Sequence, residues 1–176
     1  MKAELQQQWR LLDLQKLDTR LDQIDHRLAN LPQAKELAEL TKKADTATEE
    51  MILAQTAVMD VEREIARSEA DVQQVRDRAA RDQARLEAGT GMTSRDLTSL
   101  QHEIESLGRR QAELEDVEIE VMERQETAES RLQQLQAQRD EIQAEVDRLA
   151  AERDAAVAEL DAERVEVARP RDEIAG

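Results

Sequence analysis

Ala88-Gly89-Thr90-Gly91-Met92-Thr93-Ser94-Arg95-Asp96-Leu97 lies near the middle of a chain of 176 residues and holds two of its four glycines. Heptad-patterned segments run into it and out of it. Gly89 stands where a helix needs a left-handed residue at its end, a conformation glycine takes without strain. Gly91 loosens the next step. Thr93 has the chemistry of an N-cap, with Asp96 three residues on as a shorter relative of the capping-box glutamate. Met92 before that cap and Leu97 after it have the spacing of a hydrophobic staple. The stretch predicts a helix stop, a reversal over residues 89–93 and a helix start. The predicted fold is all-α: a long antiparallel coiled-coil helical hairpin.

The arms carry the pattern that such a hairpin needs. Leu14, Leu17, Leu21, Ile24, Leu28 and Leu31 alternate steps of three and four. Leu5, Trp9 and Leu12 cluster out of step with that stripe. Leu31-Pro32 interrupts the helix, because proline lacks a donor and restricts the residue before it. A kink near Pro32 follows, with Pro32 opening the next helix. From there one row runs Leu37, Ala44, Met51, Val58, Ile65, Val72, Ala79, Leu86, and a second runs Leu40, Ala47, Ala54, Val61, Ser68, Val75, Asp82, both at a spacing of seven. The return arm has one row apolar throughout, from Leu100 through Leu114 and Leu135 to Ala156. Its other row is mixed and includes Gln111, Glu118, Gln125, Arg139 and Arg153. The predicted helices cover residues 4–30, 33–88 and 94–168 of a single hairpin over 1–176, with Arg169-Pro170 ending the last.

If Leu86 lies opposite Leu97, Glu118 comes near Ile65, Ile24 near Leu160 and Leu17 near Val167. Helix 1 is then collinear with the first arm and covers the end of the return arm. The rival arrangement, a fold-back into a three-helix bundle, leaves Leu149, Leu160 and Val167 without partners.

Composition agrees with an extended coiled coil. Aromatic residues make up 1% of the chain, with Trp9 the sole example. A compact core leans on large aromatics, whereas each layer of a coiled coil is a small core of its own. The net charge of −16 speaks against general binding to nucleic acid or to an anionic membrane. No apolar run approaches the ~20 residues of a membrane span. The N-terminus lacks the apolar core of a signal peptide, so the expected location is cytoplasmic. The chain has no cysteine, which removes disulfides and thiolate metal sites from these residues.

Chemistry is sparse. His102-Glu103-Ile104-Glu105-Ser106 begins like a zinc-protease helix motif, but Ser106 stands where the second histidine is needed. His26 has Asp22 four residues earlier, the spacing of a solvated helix pair. No catalytic or metal-ligating set emerges. Between Glu113 and Glu129, eight acids face one arginine, Arg124. Apolar residues that a two-helix seam does not require lie at the same height: Ile52, Leu53 and Met59 on one arm, Val117, Ile119 and Met122 on the other. Surplus apolar surface beside charge marks a protein-binding patch. Its candidate members are Ile52, Met59, Val117, Ile119 and Met122 with the acids Glu113, Glu115, Asp116, Glu120 and Glu123. Gly108, in mid-helix, reads either as a site of close approach to the other arm or of a slight bend, or as a tolerated defect.

The run TSRDLTSLQHEIESLGRRQAELEDVEIEVMER, from Thr93 to Arg124, resembles a bacterial family of coiled-coil hairpin proteins that carry a C-terminal zinc ribbon. The most specific parts are Leu100-Gln101-His102-Glu103-Ile104-Glu105 and Leu114-Glu115-Asp116. Leu14-Gln15-Lys16-Leu17-Asp18 and Leu31-Pro32 resemble that family's beginning. The resemblance implies a ribbon held by two pairs of cysteines after residue 176, and zinc only there. No ribbon residue can be carried onto this chain.

Together these features predict a non-enzymatic adaptor or scaffold that offers protein-interaction surfaces at mid-hairpin and at the turn. The expected partner is a protein, with a homodimer as one form. The alternative is a transcription-associated or nucleic-acid-binding factor acting through the tip and the absent ribbon. Direct nucleic-acid binding by this segment is not expected. Residues 1–176 should bind no zinc after washing with chelator. Stoichiometric zinc in metal analysis, abolished by His102→Ala, would contradict that expectation.

Overall fold

A computed structural model describes residues 2–175, with side chains from Leu5 onward. Met1 and Gly176, the ends of the predicted hairpin, lie outside the described residues. Three helices account for the fold: α1 (Lys2–Ala29), α2 (Pro32–Ala88) and α3 (Ser94–Ala175). The chain is an all-α coiled-coil hairpin with a slight bend near Pro32. It divides into two compact units. Unit 1 pairs residues 1–47 with residues 138–176, and unit 2 is the continuous stretch 48–137.

In both units the helices meet along the predicted stripes. Every residue of the two α2 rows and of the two α3 rows is buried or half-buried. Most side chains between them are exposed, as a two-helix coiled coil requires. The most enclosed include Val58, Val72, Leu100, Val121 and Leu135 in unit 2, and Ile24, Ala44, Leu149 and Leu160 in unit 1. Polar members of the seam are buried with them. Asp82 is 7% exposed and has Arg85 at 3.6 Å and Arg78 at 4.0 Å on its own helix. The Ser68 hydroxyl is buried with no hydrogen-bond partner.

In unit 1, α1 lies along the end of α3. Arg164 pairs with Asp25 at 3.0 Å and Arg171 with Asp18 at 2.9 Å, while Glu163 takes Arg20 and, at 3.5 Å, Arg27. These pairs match the collinear arrangement and not the fold-back. Leu5, Trp9 and Leu12, out of step with the stripe, are all exposed.

One boundary differs from expectation. α3 does not end at residue 168 but runs through Pro170 to Ala175. Proline costs the helix one backbone bond there. The turn beyond it is tied to α1 by Arg171 on Asp18 and by the Arg10 guanidinium donating to the Ile174 carbonyl at 3.4 Å. Those contacts hold the segment helical past the residue that sequence rules make a stop.

The register of unit 2 also differs. Opposing Leu86 with Leu97 puts Arg76 beside Leu107 and Glu64 beside Ile119. Arg78 with Glu103 lies near that register, but Arg76 with Glu115 at 2.6 Å and Arg124 with Glu64 at 2.5 Å lie further on. Antiparallel helices oppose the a row of one with the d row of the other, which sets Leu86 against Leu100, about three residues further on.

Gly108 resolves as the tolerated defect: a Cβ there would meet nothing within 4 Å. Gly108→Ala should therefore raise the unfolding free energy by up to about 1 kcal/mol. Gly89→Ala should lower it, because Gly89 sits at φ +57. Denaturant melts of the two variants beside the parent check both signs, and a destabilised Gly108→Ala would mean the arms need that space.

Candidate functional site

The turn is built from its own side chains. Gly89 and Gly91 have φ of 57 and 75, and the Gly89 N–H closes α2 on the Arg85 carbonyl at 3.2 Å. Thr93 and Asp96 then cap α3 reciprocally. The Asp96 N–H donates to the Thr93 hydroxyl oxygen at 3.2 Å, and the Asp96 carboxylate accepts from the Thr93 N–H at 2.9 Å and its O–H at 2.7 Å. Met92 and Leu97 are half-buried, as a staple across the cap requires. The Thr93 hydroxyl, then the Thr93 amide, hold the Asp96 carboxyl below the usual carboxylate range.

The middle of unit 2 is a surface rather than a pocket. Ion pairs between the arms identify its two faces. Met51, Val58 and Ile65 hold a positions on α2, and Leu114, Val121 and Ala128 hold d positions on α3. Arg76 and Glu115 are then both e, whereas Arg124 with Glu64, and Arg78 with Glu103, are all g. One broad face of unit 2 is thus lined by e and b residues of both helices, and the opposite face by g and c residues.

This division sorts the predicted patch. Ile52 and Met59 (b on α2) with Ile119 (b) and Met122 (e on α3) share the e face, at 51%, 48%, 55% and 51% exposure. Leu53 (c) and Val117 (g) are exposed on the opposite face. Among the predicted acids, Glu115 borders the e face, but it accepts from Gln111 at 2.8 Å and pairs with Arg76. Those two contacts, Gln111 first, hold its carboxyl low. Glu113 and Glu120 belong to the g side, and Asp116 and Glu123 point outward. The acids that adjoin the apolar residues are instead Glu62 and Glu69 on α2 and Glu126 and Glu129 on α3. The composition of the run does not reveal them; their e and b positions do.

Because Arg124 meets Glu64, Met122 stands beside Glu62 and Ala66, while Glu126 and Glu129 stand beside Met59. The apolar residues therefore cross the face diagonally, from Ile52 and Met59 on α2 to Met122 and Ile119 on α3, with an acidic pair at each open corner. No Lys or Arg occupies an e or b position of α2 between residues 48 and 69, or of α3 between 115 and 136.

Elsewhere, a groove of about 340 Å³ in unit 1 lies at the break between α1 and α2, lined by Asn30, Pro32, Gln33 and Glu159 among others. Its Arg27 and Glu163 are already paired with each other. Among the described residues no group of three His, Cys, Asp or Glu could hold a metal ion, and no helix is long and apolar enough to cross a membrane.

Residues 14–176 match the CT398-like coiled coil hairpin domain. The chain belongs to that family. Within reach of this CT398-like hairpin is the uncharacterized protein Rv2229c of Mycobacterium tuberculosis, 41% identical over 144 residues, which are 78% of this chain and 58% of the relative. The uncharacterized protein ML1638 of Mycobacterium leprae is 32% identical over 111 residues, 63% of this chain and 47% of the relative. A solved structure from Mycobacterium smegmatis superposes with a TM-score of 0.85 at 35% identity, covering 96% of this chain and 70% of that one. The CT398-like hairpin thus spans about half the length of the curated relatives it matches.

The cap makes one pH-dependent prediction. The folded pKa of Asp96 lies below its unfolded value, so its contribution is present above the unfolded value and is lost as pH falls through the folded one. Asp96→Ala should lower the melting temperature at neutral pH, and the gap to the parent should close in acid below the usual carboxylate range. A gap that stays constant with pH would show that the carboxylate does not act through the cap.

Proposed function

We propose that this chain is a non-enzymatic cytoplasmic adaptor: a coiled-coil hairpin that offers protein-binding surface on the middle of unit 2, with the turn as a second presentation site. One observation carries the reading. Four large apolar side chains are about half exposed on one face, and none of them belongs to the seam. Leaving a large apolar side chain in water forgoes roughly 1.5–3 kcal/mol of burial. A partner that covers the face recovers part of that. The scarcity, among the described residues, of enclosed space and of any nucleophile, base and orienter set supports a role without catalysis.

The alternative, a transcription-associated factor working through acids at the tip, gains less support from the turn. Asp96 is engaged in its own cap, and Glu87 accepts from Gln83 at 2.9 Å. A version that works through a zinc ribbon rests on residues outside this chain.

The adaptor reading is tested by placing a photo-crosslinking amino acid at Met59, at Thr90 in the turn and at exposed Glu141 in unit 1, in protein expressed in Mycobacterium smegmatis. Discrete adducts at Met59, with Thr90 as a second site and Glu141 silent, are expected. Equal adducts at all three positions, or none at Met59 and Thr90, would contradict an adaptor with defined surfaces.

A further inference from the structure

The e face of unit 2 has a chemistry that selects among partners. Its apolar diagonal runs from Ile52 to Ile119, a rise of about four helical turns. Acids flank it at both open corners: Glu126 and Glu129 beside Met59, Glu62 and Glu69 beside Met122. Among the described residues none of these four acids has an ion-pair partner. The opposite face differs in this respect. There Arg124–Glu64 and Arg78–Glu103 close the arms over the seam, and arginines such as Arg67 and Arg131 dilute the acids.

We propose, building on the adaptor reading, that the e face of unit 2 docks a basic amphipathic helix of another protein. Its apolar stripe would lie along Ile52, Met59, Met122 and Ile119, with Lys or Arg on both flanks reaching Glu62, Glu126 and Glu129. Helix-in-groove recognition uses anchors at i, i+3/i+4 and i+7, a span of about two turns, and two such sets in succession cover the four turns of the diagonal. Charge complementarity selects the flanks and excludes like charge. A second copy of this chain is a poor occupant for the same reason. Face to face, two copies would set these acids against each other, with −16 of formal charge on each chain.

The test uses the full chain and a labelled synthetic helix of roughly 18 residues. The probe has leucines at i, i+4, i+7, i+11 and i+14 and lysines on both flanks. One control carries Glu for Lys, and another is a scramble of the lysine peptide. Fluorescence anisotropy should show the lysine helix binding at least about tenfold tighter than either control. Met59→Glu with Met122→Glu should weaken it by a similar factor at unchanged helical circular dichroism. Leu53→Glu with Val117→Glu, on the other face, should leave it unaffected. Glu62→Lys with Glu126→Lys should transfer preference to the Glu helix.

A scramble that binds as well, or an equal loss from the Leu53 and Val117 changes, would overturn the proposal. So would a dimer in sedimentation that dissociates with Met59→Glu and Met122→Glu, since a second copy would then hold the face. If the peptides fail while crosslinks at Met59 persist in cells, the partner class is wrong and the adaptor reading survives. If both fail, the adaptor reading falls as well.

Discussion

The seam between α2 and α3 is a single narrow stripe on each helix, and the rest of the molecule follows from that narrowness. Alanine and valine fill much of the α2 side, so each layer buries little. Stability comes from repetition of many small layers. The mixed row of α3 tolerates Gln111, Glu118, Gln125 and Arg139 because long stems can lie on the seam while their polar ends reach water. All of them are half-buried. A stripe this narrow leaves no place inside for Ile52, Met59, Ile119 or Met122.

Charge decorates the seam and contributes less to holding it. The ion pairs between the arms involve mostly exposed side chains, and such pairs typically contribute up to about 1 kcal/mol. Their value lies in orientation. The g pairs and the e pair mark which sides of the two helices meet, and so divide the surface into one face with arginines among its acids and one that, beside the Arg76–Glu115 pair, has a stretch with acids and no Lys or Arg at its e and b positions. The same seam that fixes the hairpin thereby determines what each face offers to a partner.

Much of this was legible in the sequence. Repeats of seven identified every seam position, and Gly89, Thr93 and Asp96 announced the turn with its cap. Three features were not legible. The register is not given by the turn alone, because opposing Leu86 with Leu97 across it brings two a positions together, whereas antiparallel helices oppose a with d. The end of α3 was missed because local rules for Pro170 do not include Asp18, which is distant in sequence and holds Arg171. The patch reads as one group only in the register expected from the turn, which sets its residues at one height. Only cross-arm partners such as Glu64 and Arg124 show that Leu53 and Val117 turn away from the other four.

The face assignment is the claim on which the functional account depends, and the absence of native cysteine makes it directly measurable. Glu64→Cys with Arg124→Cys, and Glu64→Cys with Met122→Cys, would each be treated with a short bifunctional thiol reagent at low protein concentration. The account predicts that the first pair cross-links within one molecule and the second does not, because Met122 lies on the opposite face from Glu64. Equal or greater yield for the Glu64 and Met122 pair would put Met122 on the ion-paired face and contradict the arrangement.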